Sequence, residues 1–158
     1  DGKPVLGVIY VPAADRTYYA DAESGAWRVS AEAQKPVALT LPPLSAPLRA
    51  AVSRSHMSEE TTAFLDRCGI TERMAAGGSL KMCAVAEGAA AVYPRLNPTC
   101  FWDTAAGTAI ARIAGCAVIN RQGQYLDYTL RPEAPVKHSD FLVVNPKAIA
   151  IERVLEAL

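Results

Sequence analysis

Tyr93-Pro94-Arg95-Leu96-Asn97-Pro98-Thr99-Cys100-Phe101-Trp102-Asp103-Thr104-Ala105-Ala106-Gly107 is the stretch that decides how this chain is read. Arg95 falls beyond a strand end, between Pro94 and Pro98, where binding groups gather in open α/β sheets. A few positions later an acidic residue stands at a loop-to-helix junction, which makes the segment half of a phosphate site. Asp103 is placed to cap the helix with one carboxylate oxygen while the other stays free for a hard cation such as magnesium. Residue type alone favours the plainer role of a helix cap. Thr104, Ala105, Ala106 and Gly107 are small enough to admit another element or a ligand at close range.

The rest of the composition fits one globular core. The chain has 158 residues, 51% of them apolar, a length and balance that suit a single core and not a disordered segment. Sixteen basic and sixteen acidic residues cancel, so no global field draws the chain to nucleic acid or to an anionic membrane, and any anion site must be local. Cys68, Cys83, Cys100 and Cys116 never form C-x-x-C, which leaves neither a zinc knuckle nor a thioredoxin-like motif. They are expected as reduced thiols, in keeping with the cytoplasm. No apolar run approaches the ~20 residues of a membrane-spanning helix.

Val5 to Val11, Thr17 to Ala20 and Gly25 to Val29 read as antiparallel strands, the first two joined by a turn at Pro12 to Asp15. Asp1-Gly2 reads as a hairpin turn. Pro36, Pro42, Pro43 and Pro47 then resist helix and central strand, and a boundary is placed there: residues 1–47 as the last strands of an antiparallel sheet with its linker, 48–158 as an α/β domain. Beyond it, strands at Arg49 to Ser53, near Arg73 to Ala75 and at Ala89 to Tyr93 alternate with helices over Ser58 to Cys68, capped by Ser58, and from Ser79 to Ala86, capped by Ser79. A helix over Asp103 to Ala114 is closed by Gly115, and strands follow at Cys116 to Asn120 and Phe141 to Val144. Asn145-Pro146 is expected to start a last helix whose stripe is Ile151, Val154, Leu155 and Leu158.

Three further residues bear on the site. Lys81, one turn into its helix, reads equally as a solvated lysine or as a phosphate contact, since a helix start with Gly77-Gly78-Ser79 before it suits an anion. The planar fork of Arg95 suits bidentate phosphate binding. His56, after a strand-end Ser53-Arg54-Ser55, reads on its own as a surface or hydrogen-bonded histidine. Met74, Met82 and the tryptophans are expected as core or hinge packing.

Trp102 to Gly107 resembles the W-D-x-A-A-G signature of the magnesium-dependent, lithium-sensitive phosphatases of the inositol monophosphatase superfamily. Tyr93-Pro94-Arg95, Pro98-Thr99, Ser53-Arg54-Ser55-His56, Gly78-Ser79-Leu80-Lys81, Ala86-Glu87-Gly88 and Leu126-Asp127-Tyr128 are similar, in order and spacing, to the branch of CysQ-type 3'(2'),5'-bisphosphate nucleotidases. Two departures touch specificity: Gly78 stands where the branch has a serine, and Lys137-His138-Ser139 replaces an Asn-Pro pair.

The resemblance implies a layered α/β sandwich. It implies Mg2+ as cofactor, with Asp103 as a metal ligand and catalytic residue. Ser79, Lys81 and Arg95 would bind the phosphates of a small nucleotide bisphosphate, and His56 would pack on the adenine. Glu87, Asp127 and Tyr128 would be structural, and neither zinc nor nucleic acid enters. The activity implied is hydrolysis of adenosine 3',5'-bisphosphate to AMP and phosphate, in the cytoplasm or peripherally on the inner membrane. The superfamily's Glu-Glu pair and Asp-Pro-x-Asp-Gly-Thr motif do not occur here, so the chain is expected to be the C-terminal portion of a longer enzyme. A broader inositol or sugar monophosphatase and a non-catalytic nucleotide-binding truncation stand as alternatives.

Overall fold

The computed structural model describes residues 2–33, 35–54 and 57–158. His56, the expected adenine-packing residue, lies outside the described residues, as does Asp1 of the expected opening turn.

Runs of apolar, β-branched and aromatic residues in the first third form a meander. β1 (Leu6–Val11), β2 (Arg16–Asp21), β3 (Gly25–Ser30) and β4 (Val37–Ala38) pair in that order, all antiparallel. Pro12–Ala14 makes a single 3-10 turn closed by Asp15 at φ 39°, a left-handed conformation that a short polar side chain tolerates. The proline-rich stretch was expected to resist a central strand. It admits only β4, a two-residue strand at the sheet edge, where half a ladder suffices.

From Arg49 onward strands and helices alternate: β5 (Arg49–Val52), α1 (Glu59–Arg67), β6 (Glu72–Ala75), α2 (Leu80–Ala86), β7 (Val92–Arg95), β8 (Thr99–Cys100), α3 (Phe101–Ile113), β9 (Ala117–Ile119), β10 (Lys137–His138), β11 (Phe141–Val144) and α4 (Ile151–Glu156). The second sheet runs β6-β5-β7-β11-β9, with β5 parallel to β6 and β7, and β11 antiparallel to β7 and β9. β8 and β10 pair by themselves.

The layers follow from which faces are apolar. Helices α2 and α3 lie between the sheets: Tyr18 and Ala20 of the first sheet, Met82 and Val85 of α2, Ile110 of α3, and Phe141 and Val143 of β11 share one core. On the far face of the second sheet, Leu142 and Val144 join Phe64 and Leu65 of α1 and Val154 of α4 in another. β11 is buried on both faces and so reads as an unbroken apolar run. The small residues of the quoted segment permit this stacking. A Cβ on Gly7 of β1 would collide with the backbone carbonyl of Ala106, and one on Gly107 would sit 2.5 Å from the Met82 sulfur.

Several local expectations hold, and others shift for identifiable reasons. Ser58 Oγ accepts from the Thr61 N–H at 3.2 Å and caps α1. The strand expected from Ala89 begins only at Val92, because the Ala89 and Ala90 N–H groups both donate to Ala84 O in closing α2. Asn145-Pro146 does not start the last helix. Asn145 makes one isolated turn, accepting from Lys147 N–H and donating to Pro42 O at 3.1 Å, and α4 starts at Ile151. Met82 is core, but Trp102, expected as packing, is 71% exposed.

Candidate active site

The parallel strands β5, β6 and β7 end on one side of their sheet, and open α/β sheets bind ligands beyond such carboxyl ends. A cavity of about 430 Å³ lies there, and Ser79, Lys81, Tyr93, Arg95, Trp102 and Asp103 all line it. Three of the four expected binding residues and the expected metal ligand therefore line one cavity.

Asp103 is not the cap of its helix. Thr99 and Cys100 are held extended by pairing with His138 and Lys137, and Phe101 N–H donates to Val136 O at 3.1 Å. The helix starts as soon as that pairing ends, with Cys100 at the cap position and Asp103 two residues inside the first turn. There a carboxylate is favoured by the helix dipole. Among the described residues neither of its oxygens has a protein hydrogen-bond donor. Capping would have occupied one oxygen; this register leaves both for a cation.

The first turn is anchored by its neighbours instead. Thr104 donates to Phe101 O at 3.2 Å, and Tyr128 OH donates to Thr104 at 3.0 Å while bonding Thr108 at 2.7 Å. His138 stacks on Phe101 with ring centroids 4.5 Å apart and meets Tyr128 edge-on at 4.7 Å. Burial lowers its pKa, partly opposed by Asp127 and Asp140. Tyr128 is thus structural, as expected, and so is Asp127, which accepts from Thr129 N–H and Arg131. Glu87, at the C-terminal cap of α2, ties that helix to the first sheet through Arg28 at 3.0 Å and Tyr18 at 3.1 Å.

Arg95 is oriented before any ligand arrives. Its Nε donates to the Thr99 hydroxyl at 2.7 Å and one Nη to Pro98 O at 3.4 Å, leaving the other Nη free of protein bonds among the described residues. Lys81 is not a solvated lysine. It is 5% exposed, with Nζ donating to Gly78 O at 3.0 Å and Ala76 O at 3.3 Å and lying 5.1 Å from the centre of the Tyr93 ring. Burial, and then the charge of Arg95, lowers its pKa. Burial pushes the Tyr93 phenol up to about 12, so it stays neutral.

Ser79 does not cap α2. It sits at the cap position with helical dihedrals, φ −67° and ψ −10°, and its hydroxyl makes no cap bond. The helix itself is only seven residues long, so the anion site expected at its start reduces to the Ser79 hydroxyl and the loop before it. Thr99, Tyr93 and Trp102 were not singled out for the site by sequence. The one available signal was Thr99, four residues beyond Arg95 across a proline turn.

A profile of the inositol monophosphatase family matches residues 1–157. The chain belongs to this family. It is 47% identical over 132 residues to the 3'(2'),5'-bisphosphate nucleotidase CysQ of Salmonella typhimurium, which covers 82% of this chain and 51% of that protein. The corresponding Escherichia coli K12 enzyme is 44% identical over the same coverage. The chain thus spans about half the length of the curated relatives it matches. Among solved structures, CysQ of Bacteroides thetaiotaomicron, described as a bacterial member of the inositol monophosphatase family, superposes with a TM-score of 0.78 at 35% identity, over 91% of this chain and 59% of that one. The Thermotoga maritima IMPase gives 0.76 at 20% identity over 99% and 56%, a likeness of fold. Among the described residues no group of three or more His, Cys, Asp or Glu could hold a metal ion by itself.

Proposed function

We propose that the complete protein is a phosphomonoester hydrolase that removes the 3'-phosphate of adenosine 3',5'-bisphosphate to give AMP and phosphate. The single observation that carries this is the cavity itself: a preoriented arginine, a buried lysine and a serine hydroxyl without a hydrogen-bond partner among the described residues line it together with Asp103. One phosphate at a metal site does not require two further cations. A substrate with a second, non-reacting phosphate does. The bisphosphate nucleotidase names of the Salmonella and Escherichia relatives support the same substrate class.

Asp103 fits magnesium, since its carboxylate is a hard oxygen donor with no hydrogen-bond partner among the described residues, and it would be one ligand of several. A divalent cation bound there supplies charge to polarise the scissile phosphate and lower the pKa of a nearby water. The chain's own groups bind and orient. Arg95, held by Thr99, offers its free Nη to the non-reacting phosphate, Ser79 donates a hydroxyl hydrogen bond, and Lys81 adds positive charge behind them. That remote binding energy fixes the reacting phosphate in place. The expected division of labour, with residues 1–47 completing an antiparallel sheet and 48–158 forming the α/β half, belongs to the same reading, as does a cytoplasmic setting.

The test compares kcat/KM of the complete protein for adenosine 3',5'-bisphosphate and for inositol 1-phosphate, with magnesium. A preference for the bisphosphate of a hundredfold or more is expected. Equal efficiencies would favour a broad inositol or sugar monophosphatase.

A further inference from the structure

The first turn of α3 is tied by a chain of hydroxyls whose direction the proton count fixes. Thr104 and Thr108, one turn apart on α3, are both buried, and Tyr128 OH lies between them, 3.0 Å from Thr104 Oγ1 and 2.7 Å from Thr108 Oγ1. A hydroxyl has one proton to donate. That of Thr104 goes to the carbonyls of Cys100 at 3.3 Å and Phe101 at 3.2 Å, which can only accept, so Thr104 must accept from Tyr128. The Tyr128 proton is thereby committed, and Thr108 must donate to Tyr128. Burial raises the pKa of the phenol, so it keeps the proton that the chain needs. Its ring also packs 5.1 Å from that of Phe101.

Asp103 sits inside the turn so tied, between Phe101 and Thr104, and no donor among the described residues holds its carboxylate. Its direction is inherited from the turn. We propose that Tyr128 is a positioning residue for Asp103: by donating to Thr104 it fixes the first turn of α3, and with it the direction from which the carboxylate meets a cation. Hydroxyls linked in series in a buried setting strengthen one another, which makes the turn stiff. Magnesium demands near-ideal octahedral geometry whereas calcium accepts a flexible shell, so a stiff turn favours the smaller ion. The assignment rests on the reading of Asp103 as a metal ligand.

The experiment uses the complete protein without substrate. Binding of Mn2+ is counted from the electron paramagnetic resonance of the free ion, and Mg2+ and Ca2+ are titrated in as competitors, which gives affinities with no turnover involved. Tyr128→Phe keeps the ring and removes the proton; Mg2+ is expected to bind about tenfold more weakly, the scale on which partners behind a metal ligand act, and Ca2+ at most about threefold. Thr108→Val removes the donor end of the chain but leaves Tyr128 bonded to Thr104, and should change Mg2+ affinity by less than about twofold. Ile110→Val thins the core face of the same helix; it should lower the thermal midpoint and leave both affinities in place. An unfolded fraction in any variant lowers the number of sites, not their affinity. An unchanged Mg2+ affinity in Tyr128→Phe, or a loss shared equally with Ca2+, with Thr108→Val or with Ile110→Val, would overturn the assignment. Wild-type protein that binds none of the three ions would instead remove Asp103 as a metal ligand, and the assignment with it.

Discussion

Arg95 Nε donates to the Thr99 hydroxyl across 2.7 Å, and Thr99 is itself fixed by pairing with His138 in the small β8–β10 ladder. A guanidinium held in this way presents its remaining donors in a set direction and loses little side-chain freedom when an anion arrives. Thr99→Val keeps the shape and removes the acceptor. A hydrogen bond to a charged group is worth about 1.5–3 kcal/mol, and the half-open setting puts the loss toward the lower end. The expected outcome in the complete protein is a rise of about tenfold in KM for adenosine 3',5'-bisphosphate with kcat within about twofold, and a larger rise for Arg95→Ala. An unchanged KM for Thr99→Val would show that Arg95 needs no such preparation.

Asp103→Asn separates a metal ligand from a helix element. Because Cys100, not Asp103, occupies the cap position, the substitution gives up only a first-turn charge, about 0.3–1 kcal/mol. The thermal midpoint should move by no more than a few degrees, while magnesium-dependent turnover falls at least a hundredfold and nucleotide binding remains measurable by calorimetry. Full activity in saturating magnesium would remove Asp103 from the site.

The close approaches around α3 give a graded stability test. Gly107→Ala would press on Met82, whose sulfur and nearby carbons are 2.5 to 3.3 Å from the new Cβ; a flexible side chain gives way, and about 1–3 kcal/mol is expected. Gly7→Ala would press on the backbone of Ala106, which does not rotate aside. Urea unfolding should rank Gly7→Ala as the more damaging of the two.

The pH dependence follows from His138. Burial holds its pKa below the ordinary 6.5, so as pH falls the unfolded chain takes up this proton before the folded one does. Folding stability supplied by the neutral ring is therefore complete above about pH 6.5 and is lost between that value and the lower pKa of the folded state. Denaturation midpoints from pH 7.5 down to 5 should fall for the wild type and fall less for His138→Phe. Parallel curves would mean that the ring titrates as it does in the unfolded chain.

Much of this architecture was legible because the signals were local. Runs of apolar, β-branched and aromatic residues broken by turn signals gave β1 to β3, Ser58 with Glu59 and Glu60 gave the start of α1, and Gly115 gave the end of α3. What was hidden depended on partners far away in sequence. Asp103 looks like a cap until Lys137 and His138, more than thirty residues later, hold Thr99 and Cys100 extended and move the helix start to Phe101. Lys81 reads equally as a solvated lysine or a phosphate contact, and its burial depends on the Tyr93 ring of β7 as well as on the nearby Ala76 and Gly78 carbonyls. Trp102 has the composition of a core residue, yet the register that turns Thr104 and Thr108 toward Tyr128 turns Trp102 outward. The site's residue types could be read along the chain, whereas the pairing of Thr99 with His138 that sets the start of α3 was tertiary.

The contact between Gly7 and Ala106 makes the first sheet a determinant of a site to which it contributes no side chain. Asp103 rides on a helix whose seat is set on one side by the Ala106 backbone against Gly7 of β1 and on the other by Gly107 against the Met82 side chain of α2, and these two approaches set where it meets the cavity. Chimaeras between family members should respect that seam. A crossover that brings in a new α3 without its matching β1 would displace the carboxylate by whatever fraction of an ångström the two seats differ, and catalysis is sensitive at that scale.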